Sequence, residues 1–99
     1  MNIIIQSPDI HISEQLKHKI ERKLLRTCGV YDRTVKCEVI LRQEKDGTPP
    51  CREVEVKVVV PGGVLFTKQT SASFEGAINK MGLAIKHQLE KHRERFEKS

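Results

Sequence analysis

The chain has 99 residues, of which 37% are hydrophobic and 31% are charged, and it carries a formal net charge of +5. This length predicts a single domain over residues 1–99 with one modest core. The excess of cations favours a polyanionic partner, whereas one Tyr, three Phe and no Trp argue against an aromatic platform for single-stranded bases. No apolar run is longer than three residues, as at residues 58–60, which is too short to span a bilayer. The start of the sequence lacks the pattern of a signal peptide, so we expect none. We therefore expect a cytoplasmic protein without a membrane partner.

The first third of the chain predicts a strand followed by a helix. Residues 2–7 form a β-branched run that Pro8 ends. Apolar residues then recur every fourth position from Ile12 to Leu24, which predicts a helix over residues 13–27 with one buried stripe. Ser13 is the expected N-cap, and Gly29 is expected to end the helix as a C′ glycine.

Three strands and a long second helix are predicted next. Residues 34–44 and 54–60 alternate between apolar and polar side chains, and the Asp-Gly and Pro-Pro pairs in residues 45–50 predict the loop that joins them. The turn at Pro61-Gly62-Gly63 returns the chain as a strand over residues 64–70. Ser71 or Ser73 then caps a helix over residues 72–99, whose apolar stripe extends to Phe96.

The element order β-α-β-β-β-α defines the expected fold class, α+β. The first two strands, which a helix connects, should pair in parallel with a right-handed crossover. The two hairpins that follow are antiparallel. We therefore expect a four-stranded sheet with both helices packed on one face.

Most of the excess positive charge lies on the predicted helices. The first has five Lys/Arg against two Glu, a net charge of +3, and the second has six against four, a net charge of +2. Two cationic helices on the same side of a sheet are typical of a surface that binds phosphates. Composition alone favours the structural alternative, in which these residues are only solvated helix faces with local i,i+4 ion pairs.

Neither a metal site nor a catalytic site is predicted. The four His and three Cys lack the CxxC or HxxxH spacing of a structural zinc site, so we expect no metal and no cofactor. Cys37 falls on the apolar face of a strand, and the odd number of widely spaced Cys indicates reduced thiols. No nucleophile has a recognisable base and orienting partner, which argues against an enzyme with a small-molecule substrate. Asp32 and Arg33 are expected to form a local ion pair after the first helix.

Several segments, taken together in this order, resemble the ribosome hibernation-promoting factor and ribosome-associated inhibitor family, also called sigma-54 modulation proteins. The resemblance covers nearly the whole chain. It departs from the family pattern at Ser73-Phe74-Glu75-Gly76, at Asn79, and at Ala84 and His87, two positions that are commonly basic in the family. The matching segments are Asn2–Gln6, Ile10-His11-Ile12-Ser13-Glu14-Gln15-Leu16, residues 23–26, Tyr31-Asp32-Arg33, Pro61-Gly62-Gly63, Ala77-Ile78-Asn79 and Gln88-Leu89-Glu90-Lys91-His92-Arg93.

This resemblance implies a fold similar to double-stranded RNA-binding domains and a short form without a second domain. It also implies binding to the small ribosomal subunit and its rRNA, where the protein would block tRNA and mRNA sites and inhibit translation in stationary phase or stress. The positions that match the family's rRNA contacts are Lys23, Arg26, Lys91, His92 and Arg93. Charge and predicted exposure add four more candidates, which are Lys17, Arg22, Lys86 and Arg95.

Two other functions are compatible with the sequence. A general double-stranded RNA-binding domain of the same fold would bind an arbitrary RNA duplex as well as it binds ribosomes. A protein-interaction modulator of transcription would instead use the bare face of the sheet or an edge strand, and its binding would depend little on salt.

Overall fold

The computed structural model describes residues 2–29, 34, 36–44 and 51–98, with the backbone alone at residues 44 and 96–98. The predicted ion pair at Asp32–Arg33, the loop over residues 45–50 and the side chain of Phe96 lie outside the described residues. Four strands and two helices follow one another as predicted. Their bounds are β1 Asn2–Gln6, α1 Glu14–Cys28, β2 Lys36–Glu44, β3 Cys51–Val60, β4 Gly63–Ser71 and α2 Phe74–Lys98.

The four strands form one sheet in the order β1-β2-β3-β4. β1 pairs with β2 in parallel, and its residues Asn2 and Gln6 lie opposite Lys36 and Ile40. β2 with β3 and β3 with β4 are antiparallel neighbours. The predicted α+β fold and all three strand pairings are confirmed.

The hydrophobic core lies between one face of the sheet and the two helices. Alternation directs Cys37, Val39 and Leu41 of β2 to the same face as the buried valines of β3, in the register Cys37–Val58, Val39–Val56 and Leu41–Val54. A single cluster joins these side chains to the buried stripes of both helices, which include Ile20 and Leu24 of α1 and Met81, Ile85 and Leu89 of α2. Both helices therefore cover the same face of the sheet.

Hydrogen bonds at both ends fix the limits of α1. The Ser13 hydroxyl accepts a hydrogen bond from the backbone N–H of Leu16 at 3.1 Å, so Ser13 is the predicted N-cap. Gly29 ends the helix as predicted, although it is the C-cap residue in the right-handed region, with φ −65°, and not a C′ glycine. Its N–H donates to the Leu25 carbonyl at 2.9 Å, and a Cβ at this position would collide with that carbonyl oxygen. Close approach, and not a positive φ, therefore explains the glycine.

Side chains of α2 bind the backbone along the outer edge of β4. Phe66 donates its N–H to Gln88 Oε1 at 3.2 Å, and Gln88 Nε2 donates to the Phe66 carbonyl at 2.8 Å. Lys80 Nζ donates to the Thr70 carbonyl at 3.0 Å. Among the described strands, β4 has β3 as its one neighbour, so these contacts satisfy groups that an exposed edge would leave open to pairing with another chain.

Replacing Gln88 by alanine is expected to lower the free energy of unfolding by about 1 to 2 kcal/mol, because two hydrogen bonds to the β4 backbone are lost. Urea denaturation followed by circular dichroism measures this change. The control is Gln15→Ala, an exposed glutamine of α1, which should change stability by less than about 0.5 kcal/mol. Equal effects of the two substitutions would show that the Gln88 contacts do not stabilise the edge.

Cys28 and Cys37 are core residues. Both are fully buried, and no disulfide joins them or Cys51, all three being within the described part of the chain. The hydrogen bond of Cys28 with Cys37, together with burial, raises the pKa of the Cys28 thiol. The Thr34 hydroxyl donates to the Cys28 carbonyl at 3.5 Å, which gives one of the last carbonyls of α1 a partner. The prediction that Cys37 is a small apolar core residue is confirmed.

Candidate nucleic-acid interface

A groove between α1 and α2 gathers cations from both helices. It consists of two adjoining depressions of about 330 and 370 Å³, which share Lys23 and Arg26. We call it the interhelical groove. Its first part is lined by Lys19, Arg22, Lys23, Arg26, Glu75, Ile78 and Asn79, and its second part by Lys23, Arg26, Thr27, Lys86, Leu89, Glu90 and Arg93. Six Lys/Arg therefore face two Glu in a surface depression that is open to solvent.

Helical periodicity explains why the α1 cations lie together. Lys19, Arg22, Lys23 and Arg26 are spaced i, i+3, i+4 and i+7, so they form one stripe along α1. The buried stripe that contains Ile20 and Leu24 lies on another side of the same helix. One face of α1 therefore holds the core and a different face presents cations to the groove.

Gly82 brings the two helices into close approach at the middle of the groove. A Cβ at Gly82 would overlap the Cε atom of Lys23, so the aliphatic part of the Lys23 side chain lies directly against the α2 backbone. Lysine commonly packs its methylene groups on a neighbouring surface while its ammonium stays in water. The glycine thus fixes where the Lys23 charge enters the groove.

The groove contains five of the nine candidate RNA-binding residues: Arg22, Lys23, Arg26, Lys86 and Arg93. Lys91 and Arg95 are each two residues from Arg93, and successive helical residues are about 100° apart, so both point to nearly the opposite side of α2. Lys17 is likewise two residues from Lys19, and its Nζ lies 3.4 Å from Glu14 Oε1. The structure does not bring these three residues to the groove.

His92 contacts the turn between β3 and β4. Its Nε2 atom lies 2.8 Å from the Pro61 carbonyl oxygen, and because that oxygen can only accept, Nε2 is the protonated nitrogen of this contact. A Cβ at Gly63 would lie 3.4 Å from His92 Cε1, so the ring also packs against the start of β4. His92 therefore links the last part of α2 to the sheet.

Sequence reasoning missed Lys19 and Glu75 as site residues. Lys19 Nζ donates a hydrogen bond to Glu75 Oε1 across the groove, and this ion pair lowers the pKa of the Glu75 carboxyl below its ordinary value. The i, i+4 spacing of Lys19 and Lys23 was a usable signal for the lysine. No local pattern identifies its partner, because the two residues are 56 positions apart.

The open face of the sheet has a different charge distribution. Among the described side chains of this face, four Lys/Arg and three Glu alternate. Arg42 Nη1 lies 2.9 Å from Glu55 Oε1, and Lys68 Nζ lies 3.2 Å from Glu53 Oε1. Lys36 and Glu38 form a further pair at 2.7 Å. These charges are largely balanced by one another, so the helical side is the better candidate for binding a polyanion.

Comparison with known proteins assigns the family. The family described as Sigma 54 modulation protein / S30EA ribosomal protein matches residues 3–97. The chain belongs to this family. Among curated proteins, the ribosome hibernation promoting factor of Pseudomonas putida is 24% identical over 95 residues, which cover 96% of this chain and 89% of that protein. The resemblance inferred from the sequence segments is thereby confirmed.

Solved structures confirm the fold of this S30EA family member. A ribosomal subunit interface protein from Coxiella burnetii superposes with a TM-score of 0.76 at 21% identity, and the alignment covers 100% of both chains. The N-terminal domain of Protein Y from Thermus thermophilus superposes with a TM-score of 0.67 at 23% identity, covering 96% of this chain and 94% of that one. Over the described residues, neither helix has both the length and the apolar character needed to cross a membrane.

Proposed function

We propose that this protein is a ribosome hibernation factor that binds rRNA of the small ribosomal subunit through the interhelical groove. Bound there, it occupies the space of tRNA and mRNA and inhibits translation in stationary phase or stress. The single observation that carries the proposal is that five candidate RNA-binding cations from two helices converge in one groove of an S30EA family member. They are Arg22, Lys23, Arg26, Lys86 and Arg93. The name of the Pseudomonas putida relative supports the same role.

The mechanism of this proposal is electrostatic and requires no chemical step. Lysine and arginine side chains in the groove bind RNA phosphates and release the counterions that the phosphates had condensed. Arginine adds paired N–H donors whose geometry matches two phosphate oxygens. A-form RNA presents phosphates, 2′-hydroxyls and overall shape more than readable base edges, so a rigid surface with spaced cations suits it. Inhibition then follows from occupancy of a shared site in the cytoplasm.

Sucrose-gradient co-sedimentation with bacterial ribosomes tests the proposal. The protein should migrate with the small subunit at low salt and dissociate as salt rises, and the log of its binding constant should fall by about 0.7 to 0.9 per log unit of salt for each phosphate contacted. Added tRNA should compete with the protein. Protein that stays at the top of the gradient at every salt concentration contradicts the proposal.

One observation favours a second function, a protein-interaction module. Val64 and Phe66 are each 54% exposed on the open face of the sheet, which gives a partner protein an apolar contact. Binding through this face would change little with salt because most of its charges form ion pairs with one another. A salt-independent interaction that the double substitution Val64→Ser/Phe66→Ser removes would support this second function.

Replacing Gly82 by alanine is expected to weaken ribosome binding several-fold without destabilising the fold. The new Cβ displaces the end of Lys23 from its present position in the groove, whereas alanine in place of a helical glycine adds up to about 1 kcal/mol of stability. Thermal unfolding and salt-dependent co-sedimentation measure the two effects separately. The control is Gly76→Ala, a second α2 glycine whose new Cβ would meet Ser71 and not Lys23. Equal binding by both variants would show that the position of Lys23 is unimportant.

A further inference from the structure

Lys19 and Glu75 form an ion pair that joins α1 to α2 at one end of the interhelical groove. Both side chains line the first part of the groove together with Arg22, Lys23 and Arg26. Both are also substantially exposed, at 50% for Lys19 and 66% for Glu75, so solvent and a bound polyanion can reach them. In the described part of the groove, a carboxylate is thus placed in direct contact with one of the cations.

The contact with a carboxylate distinguishes Lys19 from the other cations of the α1 stripe. The Lys19 ammonium has three N–H donors, but the Glu75 carboxylate neutralises its charge. A phosphate therefore gains the full electrostatic attraction of Lys19 only when it displaces Glu75. The carboxylate is held on α2 within hydrogen-bonding distance of Lys19, and its effective concentration there is therefore high. Exposed ion pairs of this kind add little to folding stability. The principal physical consequence of the Lys19–Glu75 pair is that the charge of one groove cation is neutralised.

We propose that Glu75 is a specificity-determining residue that withholds Lys19 from RNA and confines phosphate binding to the rest of the groove. The rest of the groove contains the cations Arg22, Lys23, Arg26, Lys86 and Arg93. This inference rests on the proposed function to the extent that the groove binds RNA. The inference adds that Glu75 acts as a built-in counter-ion for Lys19. Glu75 would thereby limit how many phosphates the groove binds and how far along the groove the bound RNA extends.

The substitution Glu75→Gln tests the inference because it removes the carboxylate charge and keeps the shape of the side chain. With Lys19 released, one more phosphate is bound. The log–log salt dependence of binding should become steeper by about 0.7 to 0.9, and the affinity at moderate salt should rise about fivefold. Fluorescence anisotropy measures both quantities, with purified small ribosomal subunits and a short RNA duplex as the two probes.

Two further variants separate release of Lys19 from a general change in charge. Glu14→Gln is the matched control, because it also removes a first-turn carboxylate and frees a lysine, Lys17, that lies away from the groove. Its salt dependence should equal that of the unaltered protein. Lys19→Gln should leave the salt slope unchanged in the unaltered protein but should reverse the increase in the Glu75→Gln background.

The outcomes distinguish this inference from the proposed function. If Lys19→Gln lowers the salt slope equally in the unaltered protein and in the Glu75→Gln variant, Lys19 already binds RNA. That result would overturn the inference. An unchanged slope in Glu75→Gln, or an equal increase in Glu14→Gln, would overturn it as well. If the Glu75→Gln effect is present on the RNA duplex while no variant binds small subunits, the inference is supported and the ribosomal function is overturned.

Discussion

The triple substitution Arg22→Glu/Arg26→Glu/Lys86→Glu is expected to abolish association with the small ribosomal subunit. All three side chains are exposed and line the interhelical groove, so the substitutions replace three phosphate ligands with repelling carboxylates while leaving the core untouched. Loss of three phosphate contacts alone corresponds to a decrease of roughly 100-fold in affinity at moderate salt, and repulsion adds to it. Co-sedimentation at several salt concentrations measures the decrease.

A second triple variant separates the groove from net charge. Lys17→Glu/Lys91→Glu/Arg95→Glu changes the formal charge by the same amount, but these side chains lie on the sides of α1 and α2 that face away from the groove. We expect it to keep most of its ribosome binding, with a loss that high salt diminishes. Equal loss in the two variants would mean that overall charge, and not the groove, governs association. Circular dichroism establishes that both variants are folded.

The sheet was predictable because burial on one face imposes strict alternation. Val54, Val56, Val58 and Val60 are all buried as the pattern required, and a shift of one residue would have exposed every one of them. Element bounds were less accurate at the ends, where hydrogen bonds decide. Ser73 accepts a hydrogen bond from the Gly76 N–H, for example, so α2 begins at Phe74 and not at residue 72.

The candidate site was predictable for one helix at a time but not for the pair. A stripe along α1 follows from the period of 3.6 residues, and the groove confirms that Arg22, Lys23 and Arg26 lie together. Which stripe of α2 faces them depends on how the helices pack. Lys91, which matched the family pattern, and Arg95, which was added from its charge, therefore lie on the other side of α2 from Arg93.

Long-range partners explain the rest of the difference between sequence and structure. The Lys19–Glu75 pair and the contact of His92 with the Pro61 carbonyl join residues that are 56 and 31 positions apart. Neither contact leaves a periodic pattern, because each forms only after the core has brought the elements together. His92 in particular carries a structural contact that a list of surface cations cannot reveal, and its role as an RNA ligand stays a prediction.

Replacing Leu24 by alanine is expected to lower the free energy of unfolding by about 2 to 5 kcal/mol, a large part of the stability of a domain of this size. Leu24 is completely buried between α1 and the sheet, and truncation leaves a cavity that close-packed neighbours fill only in part. Urea denaturation measures the loss. Leu25→Ala is a control of the same residue type, because Leu25 is 54% exposed and its truncation should cost less than about 0.5 kcal/mol.

Ribosome binding by the Leu24→Ala variant separates the two roles of α1. Leu24 does not line the groove, so the fraction of molecules that remains folded at low temperature should bind with unchanged affinity and an unchanged salt slope. The Arg22→Glu/Arg26→Glu/Lys86→Glu variant should show the reverse, with stability nearly kept and binding lost. If folded Leu24→Ala protein binds weakly, packing beneath α1 also sets the position of the groove cations. One helix would then serve stability and recognition through faces that are mechanically coupled.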